Sequence, residues 1–440
     1  MSVFFVAVSF AVAFSFSFFF LTQTIEYQVW YPHVDWPQQP ALDIWFESDP
    51  PLVHKTMTDT ETGLQKTNRH PFWPAIGLVP VKVIGFLGVP ERLSVCLVLA
   101  SGVGLASALF SLTLLFLQGC GIFSWLVQSL FLASATFIFW AGIVDRFPIG
   151  AATILATTAS AAYFSREKRM SIWLAVALNV VSLSATITNG MFGLLLNVCF
   201  FKFKTAARIT VYALVLTCVL WFAQGLFIKH HVALIEVEAY NQTWLLNPYA
   251  GSFLQKLVVL LGASVVIPVI HPYNYSDLDT VGIETSRLLG VQHSVPGADG
   301  PLEFILALGW AFLLIVSAIL WLRRVDKTPF DTFLFLGIGG QLVLHLIYGT
   351  ELFLYSFHLA PLLFLTVARG IGDLNGKALQ GALFGLCLFI PLLAIHNFSE
   401  YEGAWIRYLE SYEVMKGEVR RDSSSVIWAS PPVGNGMSID

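Results

Sequence analysis

Residues 92–117 read RLSVCLVLASGVGLASALFSLTLLFL, and after Arg92 no charged side chain occurs in the run. A helix needs about 20 mostly apolar residues to cross the hydrocarbon core of a bilayer, so this stretch suffices for one crossing. The pattern recurs outward in both directions. Further apolar runs lie near 2–21, 121–140, 149–164, 171–188, 191–201, 209–228, 302–322, 330–348, 351–368 and 379–397; the one at 191–201 is short, and either re-enters or continues through the Phe-rich stretch to near Lys204. The expectation is an all-α polytopic membrane protein with about 11 transmembrane helices. Its membrane-embedded domain covers residues 1–397 and its polar tail 398–440.

Composition agrees. Of 440 residues, 56% are hydrophobic and 12% charged, and the mean hydropathy is +0.72, far from the soluble balance. A formal net charge of -4 offers no basic surface for nucleic acid. Cys96, Cys120, Cys199, Cys218 and Cys387 lie in or beside apolar runs with no CxxC pair, which argues against a disulfide framework or a zinc site. Residues 2–21 lack a basic start and a small-residue exit, so they read as an uncleaved first helix rather than a signal peptide.

Orientation follows from the short basic loops, which are retained in the cytoplasm. They carry Arg166, Lys168 and Arg169; Lys202, Lys204 and Arg208; Arg323, Arg324 and Lys327; and Arg369 and Lys377. Strict alternation then puts a large first loop, 22–91, a turn at Asp145 and Arg146, a second loop, 229–301, and the tail on the outer side. A further apolar run at 254–270 breaks the parity if it spans, so it is expected to be a peripheral helix in the second loop.

Within the first loop, Trp45-Phe46-Glu47-Ser48-Asp49-Pro50-Pro51 sets two carboxylates two residues apart before a stiff proline pair. Such a carboxylate can act as a general base or hold a divalent cation; a solvated acidic loop has the same spacing. Asn68-Arg69-His70-Pro71-Phe72-Trp73-Pro74 leads into a segment broken by Pro80 and Lys82. It reads as a stretch lying on the membrane surface with Arg69 and His70 at headgroup depth, where cations pair with phosphate. Glu351, Tyr355 and His358 fall at i, i+4 and i+7 and are expected to share one helical face pointing into the bundle. His271-Pro272-Tyr273 is a further candidate. Three sequons, at Asn241, Asn274 and Asn397, matter only in a eukaryotic secretory host. No P-loop, GxSxG or HExxH is present.

The arrangement resembles the GT-C superfamily of integral-membrane glycosyltransferases, whose relatives include protein O-mannosyltransferases and lipid A aminoarabinose transferases. The likeness rests on Asp49, on His70-Pro71-Phe72 and on Phe353-Leu354-Tyr355-Ser356. It implies a multi-pass protein of the bacterial cytoplasmic membrane with its active site facing outward. Its donor would be a polyprenyl-phosphate-linked sugar, and its acceptor a hydroxyl of a glycan, lipid or protein. Asp49 would be the base, and Arg69, His70, Tyr355 and His358, with Glu351 and His271 nearby, would bind substrate; a metal requirement stays open. The alternatives are a surface-polysaccharide ligase or polymerase and a transporter or flippase. The latter class usually shows internal repeats and broken helices at mid-membrane depth.

Overall fold

In a computed structural model the described residues are 2–29, 45–60, 67–167, 170–228, 246, 250–274, 287–298 and 300–425. The first apolar run forms α1 (Ser2–Gln28). The first loop contributes α2 (Pro50–Thr58), a π-helical turn (Pro74–Leu78) and α3 (Val79–Phe86). The bundle continues with α4 (Glu91–Gln118), α5 (Ile122–Ala133), α6 (Ala135–Gly142), α7 (Phe147–Glu167), α8 (Ile172–Ala185), α9 (Gly190–Phe200) and α10 (Phe203–Gly225). The second loop holds α11 (Phe253–Val258), a π-helical turn (Val259–Ala263), β1 (His271–Asn274) and β2 (Arg287–Gly290). The chain then forms α12 (Pro301–Leu322), α13 (Pro329–Ile347), a 3-10 turn (Leu352–Tyr355), α14 (Ser356–Ile371) and α15 (Gly376–Ser425).

Among the described residues, eight helices, counting the 3-10 turn with α14, are long and apolar enough to cross a membrane, and α5 with α6 makes a ninth candidate bent by 56°. The expected number of about 11 is therefore too high by this measure. Two expected spans, α8 and α9, have 14 and 11 residues, or about 21 and 17 Å at 1.5 Å per residue, short of a bilayer core of about 30 Å. They form a short hairpin whose tip meets α7 below its end: Asn189 donates to the Gly150 carbonyl (3.0 Å) and to Thr153 Oγ1 (3.3 Å).

Close helix approach organises the centre. A Cβ at Gly102 would collide with Ile149, and one at Gly104 would lie 2.9 Å from the Phe10 ring. Small residues thus let α1, α4 and α7 pack tightly, as in other membrane bundles where burial alone does not drive helices together. α14 is buried along its whole length.

Helices alternate in direction, which separates two ends. At the basic end, Arg324 pairs with Asp373 (2.6 Å), and Arg369 makes a two-pronged pair with Asp331, Nε to Oδ1 at 2.8 Å and Nη2 to Oδ2 at 2.9 Å. Arg166 donates to the Phe116 carbonyl there. Lys168 and Arg169 lie outside the described residues. The opposite end carries the loops, and Gln28 closes it by donating to the Gly142 carbonyl (2.7 Å) and accepting from the Val144 amide (2.8 Å).

Two expectations about the loop-rich end change. The run 254–270 does not span, yet it is not peripheral: Ser264, Val265, Val266 and Ile267 are fully buried. The reason is the break at Ser134, whose extended backbone frees hydrogen-bonding groups inside the bundle. The Ala135 and Thr136 amides donate to the Val265 and Ser264 carbonyls, each at 3.0 Å. The last span also does not stop near 397. α15 runs on to Ser425, because Tyr401, Trp405, Tyr408 and Tyr412 recur at helical spacing and bury against Phe139, Trp45 and Tyr27. A two-stranded antiparallel ribbon, β1 with β2, is an addition to the all-α expectation.

Asn397 ties these pieces together. It is fully buried, donates to the Ala133 and Val265 carbonyls (both 2.8 Å), and accepts from the Ile267 amide (3.1 Å). Its sequon is therefore sealed in the core. The Asn241 sequon lies outside the described residues. Replacing Asn397 by Leu strands two buried backbone groups, the Ala133 carbonyl and the Ile267 amide, each costing about 1–3 kcal/mol, while the Val265 carbonyl keeps the Ala135 amide. The expected outcome is a large fall in the thermal unfolding midpoint of the purified protein, with Asn397→Asp milder than Asn397→Leu.

Candidate functional site

The first-loop motif is held in an unusual backbone. Phe46 and Glu47 are consecutive non-glycine residues with φ of 51° and 61°, a left-handed conformation costing roughly 1 kcal/mol or more per residue. Contacts on both sides fix it. The Phe46 amide donates to the Leu289 carbonyl (2.9 Å), and the Phe46 ring packs 4.6 Å from that of Phe353. The Glu47 carboxylate accepts from the Thr350 hydroxyl and from the Glu351 amide (3.3 Å). Glu47 is thereby buried and committed to structure.

Asp49 sits differently. It precedes α2 without capping it through its side chain, and its carboxylate is about one-quarter exposed. Asp49 Oδ2 lies 3.9 Å from Arg146 Nη2, and the Arg146 guanidinium lies over the Trp73 ring, 5.6 Å from its centre. Trp73 is itself fixed by donating to Thr56 Oγ1 of α2 (2.9 Å). Beside Arg146 is Asp145, whose Oδ1 accepts from the Arg146 amide (2.5 Å) and the Phe147 amide (3.2 Å) at the start of α7. Burial pushes the Asp145 carboxyl up to about 6; Arg146 opposes that shift and Asp49 adds to it. One buried guanidinium thus pairs with Asp49 across 3.9 Å and acts through its charge on Asp145, two carboxylates of unequal exposure.

Asp145 and Arg146 were expected only as an outer turn, not as site residues. Their signal was present: they form the lone charged pair between Arg92 and Arg166. A charged pair that an otherwise apolar stretch retains is expensive and needs a reason.

The His-Pro segment is laced to the short hairpin. The Arg69 carbonyl accepts from Ile187 N, Phe72 N donates to the Ser184 carbonyl, and His70 Nδ1 lies 2.7 Å from the Ala185 carbonyl. Gln224 of α10 grips the other side, donating to the Pro71 carbonyl (2.9 Å) and accepting from Ala75 N (3.2 Å). One nitrogen of His70 is therefore engaged in holding the segment. Tyr348 is affected by both neighbours of the site: burial raises its phenol pKa, Arg69 lowers it and Glu47 raises it. The charges of Glu47, Arg69 and Asp49 also reach Tyr355.

The expected stripe at 351–358 is only partly realised. Residues 352–355 form a 3-10 turn, so Glu351 does not share an α-helical face with the other two. Its carboxylate accepts from Val291 N and Gln292 N (both 3.1 Å) and from Phe353 N (3.3 Å), which makes it a clamp between the second loop and its own turn. Tyr355 and His358 do converge, on Phe147, at ring separations of 5.7 and 5.4 Å. Tyr355 also stacks on His345 at 4.2 Å. His358 packs so closely on α7 that a Cβ at Gly150 would lie 2.5 Å from its Nε2. His271 enters β1 opposite Gly290. Among the described residues no three His, Cys, Asp or Glu side chains group as metal ligands.

Comparison with known proteins returns no match: no family model, no curated sequence and no solved structure aligns with the chain.

Asp145 gives the site a pH signature. The fold favours its protonated form, so the stability it contributes is full below the unfolded value of 3.8 and is lost as pH rises through about 6. The shift corresponds to an effect on the order of 3 kcal/mol. Thermal midpoints of the wild type and Asp145→Asn, measured from about pH 4 to pH 7, should show the wild type losing ground to the variant across that window. A constant difference would mean that burial does not set this carboxyl.

Proposed function

We propose that the protein is a membrane glycosyltransferase that moves a sugar from a polyprenyl-phosphate donor to a hydroxyl acceptor at the loop-rich, extracytoplasmic end of the bundle. The observation that carries this reading is Asp49 facing Arg146 across 3.9 Å, with the adjacent Asp145 coupled to both by charge. Such a donor already contains its leaving group, so the reaction asks for two things: removal of the acceptor proton, and stabilisation of the departing phosphate. The more exposed Asp49 suits the first. Arg146 suits the second, and Arg69, whose charge reaches Tyr348 and Tyr355 as that of Glu47 does, is a second candidate, since guanidinium matches phosphate geometry.

In this scheme the acceptor oxygen bonds to the anomeric carbon and gives its proton to Asp49. The bond from that carbon to the phosphate oxygen breaks, and the phosphate leaves with the electron pair. Asp145, kept largely within the fold, tunes the charge on Arg146 and does not touch the acceptor. Trp73 and Phe147 wall the site. The surface segment of α3 exposes Val79, Val83, Phe86 and Leu87, a face suited to lipid beside the donor.

Among the described residues, the broken α5–α6 span also fits a transporter. Its freed groups are already used: Asn397 takes the Ala133 carbonyl, and residues 264–265 take the Ala135 and Thr136 amides. That leaves the break as a structural joint, and the reading as an enzyme is preferred.

Cells lacking the protein should accumulate a polyprenyl-phosphate sugar, and the purified protein should transfer that sugar. Asp49→Asn should lower turnover roughly a hundredfold or more while donor binding persists. Arg146→Gln and Arg69→Gln should instead weaken donor binding. Glu47→Gln should act mainly on the thermal midpoint, through the Thr350 contact. Full turnover in Asp49→Asn would remove the proposed base.

A further inference from the structure

At the basic end, away from the Asp49 cluster, a cavity of about 440 Å³ opens between the ends of α4, α7, α13 and α14. Its polar lining comes from Gln118, Ser165, Arg166, Thr328 and Arg369. Accounting for their hydrogen bonds shows what remains. Arg369 spends Nε and Nη2 on Asp331, which leaves Nη1 uncommitted. Arg166 gives one N–H to the Phe116 carbonyl at 3.3 Å and has no carboxylate partner among the described residues. Gln118 Nε2 is buried with no partner. Ser165 Oγ accepts from Phe330 N, so its proton is unspent. Thr328 is satisfied by donating to Asp331 Oδ2.

What the cavity still offers is almost all donors, two of them guanidinium groups. The carbonyls that would oppose an anion are partly covered: Arg166 takes that of Phe116, and Arg324 takes that of Arg369. Asp331 faces the far prongs of Arg369, Trp321 and Thr328. An unpartnered amide donor buried beside guanidinium N–H groups costs free energy unless an acceptor arrives.

We infer that this cavity binds a phosphate group, held by Arg166, Arg369 Nη1, Gln118 Nε2 and Ser165 Oγ. The group is either a phospholipid headgroup or free phosphate, since both present the same oxygen acceptors and charge. The site is separate from the proposed transfer chemistry and does not depend on it. Occupancy would pin the ends of four helices together and so stiffen the end of the bundle opposite the reaction.

The test uses the full chain, purified and delipidated in detergent, with three probes: inorganic phosphate, phosphatidylglycerol, and a phosphate-free diacylglycerol glucoside. The thermal midpoint is titrated against each probe. The wild type should be stabilised by at least one phosphate-bearing probe and not by the glucoside. Response to phosphatidylglycerol alone identifies the source as a lipid headgroup; response to inorganic phosphate identifies the free anion. Arg166 is exposed and Gln118 half-buried, so Arg166→Gln and Gln118→Leu should fold, and each should need about tenfold or more of the effective probe, as expected for loss of a charge-assisted or buried hydrogen bond. The proposal fails if no phosphate-bearing probe acts on the wild type, if the glucoside acts equally, or if either variant responds as the wild type does.

Discussion

An unpaired backbone amide or carbonyl inside an apolar medium has nowhere to turn for a partner, and this constraint shapes the bundle more than any single apolar contact. Asn397 is where it is met most economically. The α5 helix breaks at Ser134, and a stretch of the second loop enters the interior as extended chain. Each is untenable alone. One amide side chain on α15, together with the 264–265 carbonyls, satisfies both. The loop-rich end is thus built inward, and the turn carrying Asp145 and Arg146 starts from a fixed point.

The site depends on a similar economy. Glu47 and Glu351 spend their carboxylates on holding the 45–47 segment, the 350–353 turn and residues 291–292 in register. Asp49 is left facing Arg146. Two acids in one short motif therefore divide into a buried anchor and a more exposed group, and the strained backbone at Phe46 and Glu47 is maintained by packing against Leu289 and Phe353.

Hydropathy made most spans legible, because lipid and protein interior select the same side chains. For that reason it misread depth. It extended α8 to a full crossing, left the short run of α9 between a crossing and a re-entrant segment, and took the buried 254–270 run for a surface helix. The tail beyond 397 looked polar because only the stripe through Tyr401, Trp405, Tyr408 and Tyr412 is apolar, and averaging over the helix hides a stripe. Among site candidates, local context alone singled out Asp49 and Arg69. Glu351 was not legible as a clamp, since a 3-10 turn shifts its direction by a fraction of a turn and its partners are distant in sequence. Arg146 was overlooked because its neighbour Asp145 makes the pair look like an ordinary turn.

The contacts of Trp45 have a bearing on biogenesis. Trp45 packs against Trp405 and stacks on Tyr408, while Glu47, two residues on, is held by Thr350. During synthesis the first loop emerges long before either of those partners exists. Its final shape must wait until α14 and α15 have entered the membrane, so the proposed catalytic segment is among the earliest parts made and among the last to be set. A translocating chain would therefore pass through a long interval with an aromatic, acidic loop lacking its native support. Such an interval invites misassembly or chaperone capture, and it keeps a half-built protein from presenting a finished reaction centre.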